Sequence, residues 1–511
     1  GYPARYGRFS GGIVTAETTP PRPELHGEAN IRLFDAGALV EAPFASGRGA
    51  ALAGGRYSYT GGILSLVAPE VTLGYWDYQL RLSYLAGKDR VGVFGFGSYD
   101  FFSVDTGDDF QGLSTEFHRL DLRHERRVDA RTLLRSAITI GYERTGNETL
   151  NGDDVDVIGE MLALRSSVEH AASQQALFRA GVDVEVDNYS AQLASQDDFT
   201  REAIPSRVDS AAGLWGDVVW QPEPGVTVTP GLRLDGYASG RATALGIDPR
   251  LSARFQVSRR VAIEHAFGIV HQTPSFVVPI PGFALGGLRG GLQRAVQTSS
   301  GVEVEMGAGF TGKASVFQNA MFNLSDLLSL VRAENQVGNV DVNTRMTGHS
   351  YGFELMLRRP LTEHLGGYFA YTLSRSERRA NGVDVVASFD RTHVLHAALA
   401  YDLGRRWRAG TRFTYYTGAP AELDFGDQAT GTLVAPGPIE QQRAPSFYRL
   451  DVRLEKKWLI GTKGAWWSFI VEVLNTTLNK EVFDYRCGRN GCSGEEFGPV
   501  TIPSIGLEAA F

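Results

Sequence analysis

Glu303 and Glu305 stand two residues apart, flanked by Val302, Val304 and Met306, and are the nearest approach in this sequence to an acid and base pair. Residues i and i+2 share one face of a strand, and paired carboxylates in unlike environments can divide acid and base work between them. No nucleophile accompanies them, and the same spacing suits a polar barrel wall, so no enzyme activity and no catalytic residue is assigned. His118 and His124 share the face of Leu120 and Leu122, which turns them toward lipid near two interfaces rather than toward a metal. His393 and His396 fall on opposite faces of one strand, so no metal site and no cofactor is expected. Cys487 and Cys492 lie in one short polar stretch, which excludes a disulfide scaffold and a tetrahedral cysteine site and leaves room for one local disulfide. The sequence contains no Gly-rich phosphate loop, Gly-x-Ser-x-Gly elbow or His-Glu-x-x-His helix.

The elements carrying these residues follow from composition and period. Of 511 residues, 43% are hydrophobic and 21% charged, and glycine fills 60 positions, which disfavours both disorder and a long helical protein. Fifty basic against 58 acidic side chains give a net charge of -8, so nucleic acid is excluded as a partner. No window offers 18 consecutive apolar residues for a membrane helix, and the N-terminus shows no signal peptide. A soluble β protein or a membrane barrel remains, and alternation decides. Tyr448, Leu450, Val452 and Leu454 alternate with Arg449, Asp451, Arg453 and Glu455, so one face is oily and the other must meet water. The pattern recurs with Phe178 to Val186 against Arg179, Asp183, Glu185 and Asp187, and with Ile505, Leu507, Ala509 and Phe511 against Glu508. The segment around Met161 alternates poorly.

About 22 such segments fit between Leu25 and Phe511, many of ten residues or more, longer than the strands of a soluble sandwich. The expected fold is all-β: a 22-stranded antiparallel transmembrane barrel with short periplasmic turns and long extracellular loops. Short connections at Gln221–Gly225, Ser258–Arg260, Arg359–Glu363, Gly404–Arg406 and Leu459–Lys463 follow even-numbered strands. Long ones at His271–Gly291, Asn323–Asn343, Gly418–Arg443 and Thr477–Pro499 follow odd-numbered strands, so strict alternation is expected. Tyr75, Trp76, Tyr78, Tyr84, Trp466 and Trp467 sit toward strand ends, where membrane-interface rings belong.

Several segments carry a family resemblance. GYPARYGRFSGGIV at Gly1 to Val14 resembles the closing segment of the plug domain of TonB-dependent outer-membrane receptors, and the final GPVTIPSIGLEAAF resembles their last strand. PGLRLDGY at Pro230 to Tyr237, DPRLSARF at Asp248 to Phe255, SFDRTHVLHAALAYDL at Ser388 to Leu403 and VEVLNTTLNK at Val471 to Lys480 resemble their barrel segments. The resemblance implies residues 1–23 as plug tail and linker and 24–511 as barrel, integral to a Gram-negative outer membrane. It implies a receptor that binds a scarce ligand at the cell surface and imports it into the periplasm. The implied partners are outer-membrane lipid, a plug domain, the TonB complex if the plug exists, and a surface lipoprotein or other outer-membrane subunits. Only the plug's tail is present, so the plug is omitted from the sequence, is a separate or cleaved piece, or is dispensable. A plug-less barrel serving as a structural component or passive pore is the alternative.

Within that frame Glu354, Arg449, Asp451, Arg453, Glu455, Glu472 and Glu508 are expected to face the lumen, as plug contacts or as a solvated wall of self-paired charges. Ligand contacts are expected from Phe276, Phe283, Arg294, Tyr415, Tyr416 and Tyr485 near the bases of the outer loops. Cys487 and Cys492 fall in the last outer loop, where a small disulfide is expected to stiffen it.

Overall fold

The computed structural model describes residues 2–20, 22–65, 69–105, 107, 110–149, 155–193, 206–274, 288, 290–326, 329, 344–361, 364–420, 423–424, 443–461, 464–488 and 491–511. Strand propensity runs continuously through it. The first strands are β1 (His26–Arg32), β2 (Asp35–Phe44), β3 (Gly49–Ser58), β4 (Val71–Ala86), β5 (Asp89–Asp105), β6 (Phe110–Arg127) and β7 (Thr132–Thr149). Next come β8 (Val155–Ala171), β9 (Ala176–Leu193), β10 (Arg207–Trp220), β11 (Val226–Ser239), β12 (Ala242–Ser258), β13 (Val261–Gln272), β14 (Gln293–Gly307) and β15 (Phe310–Leu324). The wall is completed by β16 (Met346–Arg359), β17 (Leu365–Ala380), β18 (His393–Gly404), β19 (Trp407–Tyr416), β20 (Phe447–Ile460), β21 (Ala465–Leu474) and β22 (Ile502–Ala510).

Each strand pairs antiparallel with its sequence neighbours, and β22 returns to pair with β1 from Glu28↔Ala510 to Arg32↔Gly506. The 22 strands therefore form a closed barrel with no free edge. A short strand, Val383–Val386, extends β17 beyond the wall, and Leu423–Asp424, Glu481–Gly488 and Gly491–Phe497 form a small separate sheet at the same end.

Alternation fixes which side chains face out. Leu80, Leu82, Leu120, Leu122, Ile138 and Ile140 are all 40% or more exposed on the outer surface, an arrangement that only lipid makes favourable. Leu454, Ile505 and Leu507 share that surface, as their period-two pattern predicts. The strand around Met161 alternates weakly because Gly159, Ala163 and Ser166 interrupt it, yet it pairs along its length with both neighbours. Among the described residues no helix is long and apolar enough to cross a membrane.

Two levels of outward rings bound the oily band. Tyr84 stacks on Phe44, and Trp458 on Trp467, near one end. Trp76, Tyr78, Tyr99, His118 and Tyr142 cluster toward the other. Tyr75 and Trp466 depart from the expected girdle. Tyr75 turns inward to Asp77 and Arg56, and Trp466 lies on the face opposite to Trp467, under the Lys457 ammonium at 3.7 Å. A shift of one residue reverses a side chain's face, so proximity to a strand end does not place a ring in lipid.

At the Tyr84 end every connection has two to five residues, with Gly87 and Gly225 supplying positive φ. The opposite end carries the long connections, but its alternation is not strict. β1–β2 and β11–β12 are joined there by the two-residue turns Leu33–Phe34 and Gly240–Arg241.

Candidate functional site

The inward face of β9 to β14 is a wall of charge built from residues i and i+2, which share one side of a strand. Arg233 and Asp235 are such a pair on β11. The Arg233 Nε donates to Asp235 Oδ2 at 2.6 Å and its Nη2 donates to Asp183 Oδ1 on β9 at 2.9 Å. Asp248 and Arg250 repeat the device on β12 at 3.4 Å, and Asp248 Oδ1 lies 2.7 Å from His271 Nδ1 on β13. Arg179 pairs with Asp217 at 2.6 Å between β9 and β10. Arg233 is 2% exposed and Asp235 and Asp248 1% each, so these charges are held by one another rather than by water.

This wall grips residues 2–10, which run through the lumen. The Arg8 guanidinium reaches Asp183 at 2.6 Å, Asp235 at 3.1 Å and Glu185 at 3.3 Å. Arg250 donates to the carbonyl oxygens of Pro3, at 2.9 Å, and Tyr6, and its guanidinium stands 4.4 Å from the centre of the Tyr2 ring. Burial pushes the Tyr2 phenol up to about 12, with Arg250 opposing the shift. Ser10 donates from its backbone N and Oγ to Gln272 Oε1, both at 2.8 Å, and accepts from Gln297 Nε2 at 2.7 Å. Gly7 passes so close to Arg233 that an added Cβ would stand 2.0 Å from its Nε. Farther along, Thr19 O accepts from Arg81, which is paired with Glu41 at 2.8 Å. Beside this segment the lumen keeps a cavity of about 1240 Å³, lined among others by Arg90, Arg123, Arg165, Glu185 and Asp187.

The lumen-facing residues expected from alternation take a different part. On β20, Arg449 pairs with Asp451 at 2.9 Å, and Asp451 also holds Arg412 at 2.7 Å and the Asn475 N–H at 2.9 Å. Arg453 reaches Glu455 and, on β21, Glu472, both at 3.5 Å. Glu508 on β22 pairs with Arg32 across the closing seam, and Glu354 on β16 accepts from Ser315 at 3.3 Å. These residues brace the wall, while the grip on residues 2–10 lies on β9 to β14. The missed signal was present in Pro230 to Tyr237 and Asp248 to Phe255: an arginine and an aspartate two apart on one strand face.

The expected ligand contacts divide. Tyr416 faces inward at the long-loop end, stacked on Phe447 at 5.2 Å and 4.6 Å from the Arg391 guanidinium, which reaches Glu481 at 3.5 Å. Arg294 and Tyr415 turn instead to the outer surface, Arg294 over the Phe322 ring at 4.9 Å and Tyr415 donating to Ser446 at 3.3 Å. Both stand one position off the inward register, being neighbours of inward Gln293 and Tyr416. Phe276 and Phe283 lie outside the described residues. Tyr485 lies on Glu481–Gly488, where the register sets Cys487 directly opposite Cys492. Glu303 holds Arg254 at 2.8 Å as part of the wall. Among the described residues no group of three or more His, Cys, Asp or Glu is placed to hold a metal ion.

The family model described as TonB dependent receptor-like, beta-barrel matches residues 30–475. No curated protein matches the sequence. Among solved structures, the unliganded ferric citrate transporter FecA aligns with a TM-score of 0.72 at 12% identity, over 99% of this chain and 82% of that one. The ferric-catecholate import receptor Fiu from E. coli K12 aligns at 0.70 and 12%, over 96% and 82%. The siderophore receptor PirA from Pseudomonas aeruginosa aligns at 0.66 and 14%, over 100% and 85%. At such identities the likeness is one of fold.

Proposed function

The chain belongs to the TonB dependent receptor-like β-barrel family, and from that premise we propose that it captures a ligand outside the cell and passes it through the barrel to the periplasm. The observation that carries this reading is the seating of residues 2–10. They cross the lumen on ion pairs and hydrogen bonds to polar walls, contacts that water can replace when the segment moves. An apolar seat would have to expose its surface to water on every cycle. We assign residues 1–23 to the tail of a plug domain whose remodelling by the TonB complex opens the path.

Capture begins at the long-loop end. Tyr416, Phe447 and Arg391 offer rings and a cation at the mouth, and in the sequence Phe276 and Phe283 fall between β13 and β14 and Tyr485 between β21 and β22. A disulfide between Cys487 and Cys492 stiffens that rim. The resemblance to a ferric citrate transporter and a siderophore receptor makes ferric chelates the first ligands to test.

Cells expressing the protein are to be supplied with radiolabelled iron as ferric citrate and as ferric catecholates. Accumulation of one chelate that needs this protein and stops when a protonophore collapses the proton gradient is the expected result. Uptake that continues unabated without the gradient would exclude an energised receptor.

A further inference from the structure

The short-turn end of the barrel carries a charge that the import reading leaves unused. The chain as a whole is acidic, with a net charge of -8, yet its short turns are basic. Arg259–Arg260 and Arg405–Arg406 each fill a two-residue turn, and Arg48, Lys88 and Arg131 stand in three others. Against them the described turn residues include two carboxylates, Asp129 and Glu223. Short turns of outer-membrane barrels face the periplasm, so this positive rim lies level with the head groups of the periplasmic leaflet.

One side chain brings the charge onto the lipid-facing wall. Leu403, Trp407, Leu454, Lys456, Trp458 and Trp467 are outward positions near the short-turn end of β18 to β21, and Lys456 is the single charge among them. Period two puts it there, since Leu454, Lys456 and Trp458 are i, i+2 and i+4 on β20. Its ammonium stands 5.2 Å from the centre of the Trp407 ring and 5.7 Å from that of Trp458, and it donates to the Arg405 carbonyl oxygen. The charge thus reaches from the wall down to the turn. The carboxylates of the same stretch, Asp402 and Glu455, belong to the inward face. Among the described residues no carboxylate pairs with Lys456, Arg405 or Arg406, and both arginines are exposed. Three cations therefore meet at one turn without a counter-ion. An unpaired charge at the edge of hydrocarbon is costly, and an anionic head group is the counter-ion that this level of the membrane supplies.

We propose that this ledge binds one anionic phospholipid of the periplasmic leaflet, its phosphate between Lys456 and the Arg405–Arg406 turn and an acyl chain along Leu454 and Val452. Both leucine and valine are outward on β20, on the bilayer side of Lys456. The rim repeats the pairing of cation and ring elsewhere, with Arg48 5.7 Å from the Tyr84 ring and Arg359 5.3 Å from the Phe310 ring. Each of those offers a single outward cation, whereas the Lys456 ledge gathers three, which is what singles it out for a head group of net negative charge.

Native mass spectrometry of the purified barrel tests the site, using equimolar phosphatidylglycerol and phosphatidylethanolamine with identical chains. We expect one phosphatidylglycerol to be retained at least about fivefold over phosphatidylethanolamine, the preference that one cation near a membrane surface supplies. Lys456→Gln should bring that ratio close to one, whereas Lys456→Arg should preserve it. Arg260→Gln removes the same charge from another turn and should leave the ratio unchanged, which separates a site from the general attraction of a basic rim. Excess inorganic phosphate should not displace the lipid, because it has no chain to lay on the wall. Heat-dependent mobility in detergent gels confirms that each variant folds. Equal retention of both lipids by the wild type overturns the proposal, as does a preference that survives Lys456→Gln, falls equally with Arg260→Gln, or is lost to inorganic phosphate.

Discussion

At the scale of single residues, the lumen depends on charges that can be buried only together. Removing Arg233 leaves Asp235 and Asp183 with Arg8 as their one shared cation, and breaking a buried pair costs up to about 3–5 kcal/mol. Arg233→Ala should therefore lower the urea midpoint of the protein in lipid vesicles markedly. Arg123→Ala should barely move it, because Arg123 is exposed in the lumen. Gly7→Val gives a second test. Its side chain has no room against an Arg233 fixed by two aspartates, so residues 2–10 should leave their seat. Single-channel conductance in planar bilayers should rise, and an unchanged conductance would show that the segment does not obstruct the bore. The Tyr2 phenol adds a pH signature. Docking favours its neutral form, so the segment's hold is constant below the ordinary value of 10.0 and weakens as pH rises toward about 12. Conductance should climb over that window in the wild type, and Tyr2→Phe should remove the part of the climb that belongs to this phenol.

Strands are the scale at which the sequence was most legible. Period-two alternation in segments such as Tyr448 to Glu455 states both that a strand exists and which face meets lipid, because one register serves both purposes. The even connections were readable for a related reason: tight turns between long alternating runs leave little freedom of placement. What alternation cannot state is which inward charges meet across the bore. Arg449 and Arg233 look alike in sequence, each two residues before an aspartate, yet one braces the wall and the other holds residues 2–10. That difference arises from contacts more than 200 residues apart, as between Arg8 and Asp235. Arg294 and Tyr415 were misplaced for a simpler reason, since a loop-base position says nothing of face unless its register is counted from the strand. Strand polarity makes its own prediction on β22. Leu507→Arg puts a charge into hydrocarbon one row in from the Trp467 ring level, where the cost lies below the ~2–4 kcal/mol of the bilayer midplane, whereas Glu508→Ala in the wet lumen should cost less. Unfolding in vesicles should rank them in that order; the reverse order would place Leu507 in the lumen.

The molecule as a whole is stable only as a closed ring, and its weakest closure is where its two ends meet. Five residue pairs join β1 to β22, against 17 between β5 and β6 and 17 between β6 and β7. The seam is reinforced at its margin. Gly27 and Phe511 exchange backbone hydrogen bonds of 3.1 and 3.0 Å, and Gly27 leaves space for the Phe511 ring, which an added Cβ would approach to 2.4 Å. Arg32 and Glu508 pair across the same seam from the lumen side. In hydrocarbon an unpaired backbone group has no water to replace its partner, so opening this line of bonds is the costly step that keeps the ring shut. Local opening should nevertheless begin there, since the free energy of an opening event grows with the bonds it breaks. Amides of residues 28–32 and 506–510 should exchange with deuterium ahead of the central amides of β6 and β7. Removing residues 502–511 should expose edges on both β1 and β21 and abolish the compact, heat-modifiable form in detergent gels, whereas Phe511→Ala should retain that form with faster seam exchange. A truncated chain that kept the compact form would mean that the remaining 21 strands can close without β22.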